Sequence, residues 1–300
     1  MYMTHPIFKG SIVAIITPLT EQGQVDYSSL KNLVDYHVES GTDAIVVCGT
    51  TGETVTLSEE EALEVTQKVV EYANKRIPVI AGTGSNSTAK AIAYTQKVEK
   101  LGVDACLSVV PYYNKPSQEG IYQHFKAIAD ATKLPVILYN VPGRTVVSMS
   151  VDTVVRLAQL DNVIGIKDAD PDLHRVGQIV SRTKDSNFFH LSGEDGTALD
   201  AIAMGSNGVI SVSANVMAKP WAEIVHTALE GNYLKALEME QQYAEVHKVL
   251  FVEPNPTPAK WAAWKLGLIA SPAQRLPLVA LSPAGQEKVT QVFTAAKLLK

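Results

Sequence analysis

The chain alternates between short apolar runs and longer amphipathic segments, and this alternation constrains the fold more than any other feature of the sequence. The apolar runs are continuous, which is typical of parallel strands that are covered on both faces. The amphipathic segments carry apolar residues at helical spacing, such as Val65, Val69 and Ala73. About eight such strand–helix units occupy roughly 230 residues, which predicts a (β/α)8 TIM barrel, an α/β fold.

The predicted elements follow one another in regular order. The predicted strands cover residues 11–17, 44–48, 78–81, 105–110, 135–139, 163–167, 188–192 and 208–212. The predicted helices cover residues 27–40, 87–101, 118–132, 150–160, 173–181, 197–204 and 221–229. A further helix is expected to begin at Ser58, where Glu61 completes a capping box. An open doubly wound sheet is the main alternative, but it favours a glycine-rich loop after the first strand, and Thr17-Pro18 stands there instead.

The strand pattern stops after Gly231. Residues 232–251 predict one helix, which the Glu-Pro-Asn-Pro sequence at 253–256 ends. Thr257 and Ser282 are each followed by proline, the form of a cap that starts a helix. The C-terminal part therefore predicts an all-helical extension, packed on the barrel or on a neighbouring subunit.

The length of 300 residues fits a catalytic barrel over 1–230 and a helical extension over 231–300. With 46% hydrophobic and 19% charged residues, the chain can bury a sizeable core. A formal net charge of −5 argues against nucleic acid or an anionic membrane surface as the partner. No apolar run approaches the ~20 residues of a membrane span, and the N-terminus lacks the pattern of a signal peptide.

The cysteines and histidines argue against a metalloprotein and a disulfide framework. Cys48 and Cys106 lie in separate apolar runs and belong to no CxxC pair, so we expect a reducing cytoplasm. The 7 histidines show no HxH or HxxxH spacing, so no metal site is expected.

Lys167 is the strongest candidate for a reactive residue. Active sites of (β/α)8 barrels lie at the carboxyl ends of the strands, and Lys167 ends the sixth predicted strand, Val-Ile-Gly-Ile. Desolvation in such a setting lowers the pKa of a lysine and frees its amine as a nucleophile, which suits a Schiff base with a carbonyl substrate. The alternative is a lysine paired with a carboxylate at the barrel rim, and position alone does not decide between them.

Other strand ends carry groups that suit the same chemistry. Tyr139 ends the fifth strand, and its phenol could move protons, although a rim tyrosine can also merely pack. Thr50 and Thr51 lie in a glycine-flanked loop that could hold a keto acid or form a plain turn. Arg144 follows a Pro-Gly turn and offers a fork for a carboxylate, or is simply exposed.

The strand-end motifs, taken in order, resemble one family. They are GTTGE at 49–53, YYNKP at 112–116, YNVPGRT at 139–145, GIKD at 165–168, LSGED at 191–195, GVISV at 208–212 and EPNP at 253–256. Over nearly the whole chain they resemble the dihydrodipicolinate synthases, which belong to the pyruvate-dependent class I aldolases alongside N-acetylneuraminate lyase. Each motif is modest alone, but their order along a barrel is specific.

The resemblance implies four catalytic residues. Lys167 would form the Schiff base with pyruvate, Tyr139 would donate and accept protons, and Thr50 would link Tyr139 to Tyr113 of a neighbouring subunit. The protonated imine serves as the electron sink, so the resemblance implies no cofactor. It also implies at least a homodimer, and the family is usually a tetramer built as a pair of tight dimers.

The resemblance also implies residues that bind the substrates. Thr51 and Ile210 would help hold pyruvate, with Gly193 close by. Arg144, at the entrance, would bind the carboxylate of aspartate semialdehyde. The product would be 4-hydroxy-tetrahydrodipicolinate, from which diaminopimelate and lysine are made.

Two alternatives stay open. The first is another pyruvate-dependent aldolase, such as N-acetylneuraminate lyase or a keto-deoxy sugar-acid aldolase. Sugar-acid lyases tend to carry GSTGE at the first loop and to lack the arginine found here at Arg144, so both features favour the synthase. The second is a non-catalytic barrel that binds or scaffolds, which Lys167, Tyr139 and Thr50 argue against.

One departure from the family concerns feedback inhibition by lysine. Lysine-sensitive relatives carry histidines in the helix after GTTGE and a glutamate in the next helix, whereas this chain has Glu59, Ala62 and Lys90. Lys90 would repel the lysine ammonium, although Asn86 and Tyr112 of a possible allosteric lysine site remain. We therefore expect weak or no inhibition by lysine.

Overall fold

Eight parallel strands close into a barrel in chain order, and the eighth strand pairs with the first. The computed structural model describes residues 8–299. The strands are β1 (Gly10–Ala14), β2 (Ala44–Val47), β3 (Val79–Gly82), β4 (Ala105–Val109), β5 (Val136–Asn140), β6 (Val163–Asp168), β7 (Phe189–Ser192) and β8 (Gly208–Ser211). The strand residues are buried except at the last positions of β3 and β4, which explains the continuous apolar runs. The predicted TIM barrel is confirmed.

Helices cover the outside of the barrel. They are α1 (Tyr27–Glu39), α2 (Glu59–Ala73), α3 (Thr88–Val98), α4 (Gln118–Asp130), α5 (Pro142–Thr145), α6 (Val151–Leu157), α7 (His174–Thr183), α8 (Ala198–Ala203), α9 (Ala214–Leu229), α10 (Tyr233–Glu240), α11 (Ala244–Val249), α12 (Thr257–Lys265) and α13 (Pro283–Ala295). The predicted capping box is present at the start of α2, where the Ser58 hydroxyl accepts from the Glu61 N–H and Glu61 accepts from the Ser58 N–H. Ser282 likewise caps α13 by accepting from the Gly285 N–H.

The prediction of one helix over 232–251 is wrong. The chain turns between α10 and α11, and α11 brings the His247 ring to the Ser213 hydroxyl (Nδ1–Oγ 2.8 Å) and against Trp221 (ring centroids 4.5 Å apart). Apolar periodicity runs through the turn and therefore does not reveal it. Ser213 and Trp221 lie more than 25 residues from His247 in sequence, so a local pattern carries no trace of these two contacts.

Two helix starts also differ from the prediction. The helix predicted over 221–229 begins earlier, with α9, and crosses Pro220 after Met217 has left helical geometry (φ −145°, ψ 47°). Pro220 lacks an N–H and crowds the preceding turn, which accounts for the kink. Thr257 does not cap α12 but lies inside it, where its hydroxyl donates to Gln274 (2.6 Å).

The last four helices pack on one side of the barrel and on each other. The contacts join α10 to α8 and α9, α12 to α9 and α13, and α11 to α13. A division of the chain at residue 230 into two parts stays a prediction. Between residues 8 and 299, no helix is both long enough and apolar enough to cross a membrane.

Candidate active site

A cavity opens at the carboxyl ends of the barrel strands, with about 480 Å³ of space inside it and at its solvent-open mouth together. It is lined by four residues that the sequence singles out, namely Thr50, Thr51, Tyr139 and Lys167. The rest of its wall consists of Ala14, Val46, Cys48, Gly49, Thr54, Gly82, Gly84, Leu107 and Val109. A small, largely apolar chamber with one amine, one phenol and three threonine hydroxyls suits a small carbonyl compound.

Lys167 projects into this cavity from the end of β6. In the strand register it pairs with Tyr139 of β5, and its Nζ lies 4.4 Å from the centroid of the Tyr139 ring. Lys167 is 7% exposed, and among residues 8–299 it forms no ion pair, because the neighbouring Asp168 is bound to Arg175. The rim ion pair considered for Lys167 is therefore not what this structure contains, and a buried primary amine without a counter-ion is suited to attack a carbonyl carbon.

Gly193 lies beside Lys167, whereas neither Gly193 nor Ile210 is among the residues that line the cavity. The Gly193 N–H donates to the Asp168 carbonyl (2.8 Å), which brings the end of β7 against β6. A Cβ at position 193 would lie 3.1 Å from Lys167 Cε and 2.7 Å from the Ala169 Cβ, so a glycine leaves room for the lysine side chain. Ile210 of β8 is buried in the same inner apolar cluster as Tyr139.

The loop after β2 forms one wall of the cavity. Its backbone is approached closely by a glycine of the neighbouring strand β3. Its carbonyl at Gly52 accepts a hydrogen bond from the Thr17 hydroxyl (2.7 Å). A Cβ at Gly82 would lie 2.2 Å from the Cys48 carbonyl oxygen, so β3 can approach this loop only without a side chain. Burial raises the pKa of the Cys48 thiol to about 12, which leaves it a poor nucleophile.

A buried polar network fixes the ends of β5 and β6. Asp168 accepts from Asn140 Nδ2 (2.9 Å) and from Arg175 Nε and Nη2 (3.2 and 3.0 Å). Arg175 Nη2 also donates to the Met149 carbonyl (2.8 Å), and the Met149 N–H donates back to Asn140 Oδ1 (2.9 Å). The network ties the segment after β5, which carries Arg144, to the base of the site.

Two of the predicted site residues lie away from the cavity within this chain. Arg144 is exposed on the short helix α5. Tyr113 is 89% exposed, with φ at 74°. The contribution of Tyr113 to the site of a neighbouring subunit, and the relay through Thr50, stay predictions.

A second, more open depression lies beside the first and shares Thr54, Gly82 and Gly84 with it. It has about 950 Å³ of empty space, and its wall includes Glu59, Ala62, Lys90 and Tyr112. Asn86 follows Ser85, which lines the depression, and its carbonyl accepts from Asn114 Nδ2 (2.8 Å). The depression thus brings together Glu59, Ala62, Lys90 and Tyr112, but Asn86 does not line it.

Sequence reasoning missed two glycines at the end of β3, Gly82 and Gly84, and two residues of the C-terminal part. Gly82 and Gly84 flank a single residue at the end of a predicted strand, and this pattern could have been recognised in the sequence. Asn255 and Lys260 contact the loop after β2 from more than 200 residues away, and no local signal indicates that contact.

Comparison with known proteins places this geometry in a family. The profile of the Dihydrodipicolinate synthetase family matches residues 7–296. The 4-hydroxy-tetrahydrodipicolinate synthase of Buchnera aphidicola subsp. Schizaphis graminum is 51% identical over 98% of this chain and 100% of its own length.

Solved structures agree with the sequence comparison. A dihydrodipicolinate synthase from Acinetobacter baumannii, described as chloride-inhibited and complexed with pyruvate, superposes with a TM-score of 0.95 at 46% identity, covering 98% of this chain and 100% of its own. A structure described as the first monomeric dihydrodipicolinate synthase variant superposes with a TM-score of 0.94 at 41% identity, covering 97% and 98%. The chain belongs to the dihydrodipicolinate synthetase family.

Proposed function

We propose that this chain condenses pyruvate with L-aspartate 4-semialdehyde to give 4-hydroxy-tetrahydrodipicolinate, as a Schiff-base-forming lyase of diaminopimelate and lysine biosynthesis. The observation that carries the proposal is the buried Lys167 amine, which forms no ion pair among residues 8–299 and faces the Tyr139 ring in a small cavity at the strand ends. Family membership and the name of the Buchnera relative support the same reaction.

In this mechanism the Lys167 amine attacks the keto carbon of pyruvate and forms a carbinolamine, which loses water to give a protonated imine. Loss of a proton from the methyl group gives an enamine, with the imine nitrogen as the electron sink, so no cofactor or metal is required. Tyr139 moves these protons in this proposal, and the contact of its ring with the Lys167 amine supports the role. Thr51 holds the pyruvate carboxylate.

The enamine carbon then attacks the aldehyde carbon of the second substrate, whose carboxylate Arg144 binds at the entrance. The amine of aspartate semialdehyde attacks the imine carbon, closes the ring and releases the Lys167 amine. One water is released for each pair of substrates condensed, so the product contains all the other atoms of the two substrates.

The test is a substrate comparison. The protein should condense pyruvate with aspartate semialdehyde and should not cleave N-acetylneuraminate or keto-deoxy sugar acids. Cleavage of a sugar acid without condensation of aspartate semialdehyde would replace this proposal by the aldolase alternative. Lys167→Arg is the control, because a guanidinium stays protonated and cannot form the imine.

We propose that the enzyme is a cytoplasmic homo-oligomer, a pair of tight dimers, in which Tyr113 enters the site of the neighbouring subunit. The exposed phenol of Tyr113 supports this arrangement, and the two free, buried cysteines fit a reducing compartment. Mixing a Lys167→Arg protein with a Tyr113→Phe protein and allowing subunits to exchange should restore activity. No recovery after demonstrated exchange would mean that Tyr113 does not cross.

We propose that lysine inhibits this enzyme weakly or not at all, since Lys90 lies in the wall of the second depression and repels an ammonium group. Added L-lysine should leave the rate nearly unchanged, and Lys90→Glu should increase the sensitivity. Strong inhibition of the unaltered protein by lysine would contradict the proposal.

A further inference from the structure

Helix α12 inserts a charged side chain beneath the loop that carries Thr50 and Thr51. Lys260 Nζ lies 2.5 Å from Glu53 Oε1, and both side chains are buried, at 0% and 2% exposure. Glu53 ends the Gly-Thr-Thr-Gly-Glu motif in a left-handed conformation (φ 55°). The pair therefore joins the C-terminal helices directly to the wall of the active cavity.

Folding stability alone does not explain why this ion pair is buried here. Taking two charges out of water costs free energy that their attraction repays only with good geometry, so an apolar pair would serve packing as well. Burial lowers the pKa of Lys260, while the Glu53 carboxylate opposes that shift. Glu53 Oε2 has no other partner among the described residues, so Lys260 alone holds the carboxylate at this end of the loop.

A second contact reaches Thr51 itself. Asn255 Nδ2 donates a hydrogen bond to Thr51 Oγ1 at 3.0 Å, and both residues are buried. Because the amide N–H occupies a lone pair of the hydroxyl oxygen, the hydroxyl hydrogen stays available to be donated elsewhere. Thr51 lines the cavity, so an anion bound there can accept this hydrogen bond.

We propose that Asn255 and Lys260 are positioning residues for keto-acid binding. Asn255 sets the donor direction of the Thr51 hydroxyl, and Lys260 holds the loop through Glu53. This inference rests on the proposed function, in which Thr51 holds the pyruvate carboxylate. It makes the C-terminal helical part a component of the active site, although none of its residues lines the cavity.

Asn255→Asp is the decisive variant, because it keeps the shape of the side chain and turns a donor into an acceptor. The Thr51 hydroxyl should then donate to the new carboxylate and no longer to the substrate. We expect the pyruvate KM, and the pyruvate concentration that gives half-maximal borohydride trapping, to rise about tenfold or more. The KM for aspartate semialdehyde should stay unchanged.

A double variant separates positioning from general damage. If Asn255 acts through Thr51, then Thr51→Val combined with Asn255→Asp should bind pyruvate no more weakly than Thr51→Val alone. Independent, additive losses would overturn the proposal. Lys260→Met should also raise the pyruvate KM, but it leaves Glu53 unpaired and is expected to lower stability, so Asn255→Asp remains the test if that variant does not fold.

Thr257→Val is the matched control. It removes a partly buried hydrogen bond between Thr257 and Gln274, two residues along the chain from Asn255, and should lower the melting temperature without changing the pyruvate KM. An equal rise of KM in the control, or an unchanged KM in Asn255→Asp, would overturn the inference. Failure of the unaltered protein to form any borohydride adduct with pyruvate would instead count against the proposed function.

Discussion

Gly193 shows how a residue without a side chain can shape the chemistry of this site. A Cβ on this residue would contact both Lys167 and Ala169. The position of the Lys167 amine therefore depends on the absence of a side chain at residue 193. The amine can reach a keto carbon only from a restricted set of rotamers, and misplacement by about 1 Å costs roughly 100-fold in rate.

Gly193→Ala is therefore expected to lower kcat by about tenfold or more, because the new Cβ collides with the Ala169 Cβ and crowds the Lys167 side chain. Steady-state kinetics with both substrates measures the effect. Gly196→Ala is the matched control, since a Cβ there meets nothing within 4 Å, and its kcat should be unchanged. Equal activity of the two variants would show that the space beside Lys167 is not needed.

At the scale of elements, Arg175 connects α7 to the end of β6 and to the segment after β5. Its guanidinium is nearly buried and bound to Asp168, so its removal leaves a buried carboxylate without a counter-ion. Arg182 of the same helix offers a comparison, because its ion pair with Asp152 is exposed.

Arg175→Leu should lower the free energy of unfolding by about 3 kcal/mol or more, because it breaks a buried pair. Arg182→Leu should change it by less than about 1 kcal/mol, as expected of an exposed pair. Urea denaturation of both variants at neutral pH measures the difference. Similar losses would contradict the assignment of Arg175 as the link that holds these elements.

The elements also show what the sequence can and cannot predict. Lys167 and Tyr139 were identifiable because barrel strands end where chemistry takes place, and a strand end is a local feature. The turn between α10 and α11 was not identifiable, because His247 is held by Ser213, far away in sequence. Lys260 was missed for the same reason, since Glu53 lies 207 residues away and a lysine within a helix normally faces solvent.

At the scale of the whole molecule, buried histidines link stability to pH. Burial lowers the pKa of His37 to about 3, and that of His124 and His190 to about 4. In the unfolded chain the histidine pKa is about 6.5. Below that value the unfolded state takes up protons that the native state does not, so stability falls as the pH falls from about 6.5 towards 4.

Each of these histidines should remove about 1.4 kcal/mol of stability per pH unit in that window. His226 affects the pH dependence of stability in the opposite direction, because Asp43 raises the pKa of its ring. The stabilisation that His226 contributes is lost only as the pH rises through that raised pKa. Urea unfolding at pH 7, 6 and 5 should show a steep decline below pH 6.5. Equal stability at pH 7 and pH 5 would contradict the burial of these neutral rings.

Schiff-base catalysis depends on the amine of Lys167, and borohydride reduction in the presence of pyruvate tests that group. We expect one adduct per chain, located by peptide mass spectrometry on Lys167 and absent from Lys167→Arg. An intact, folded protein that forms no adduct, or an adduct on another lysine, would contradict the role of Lys167 as the nucleophile.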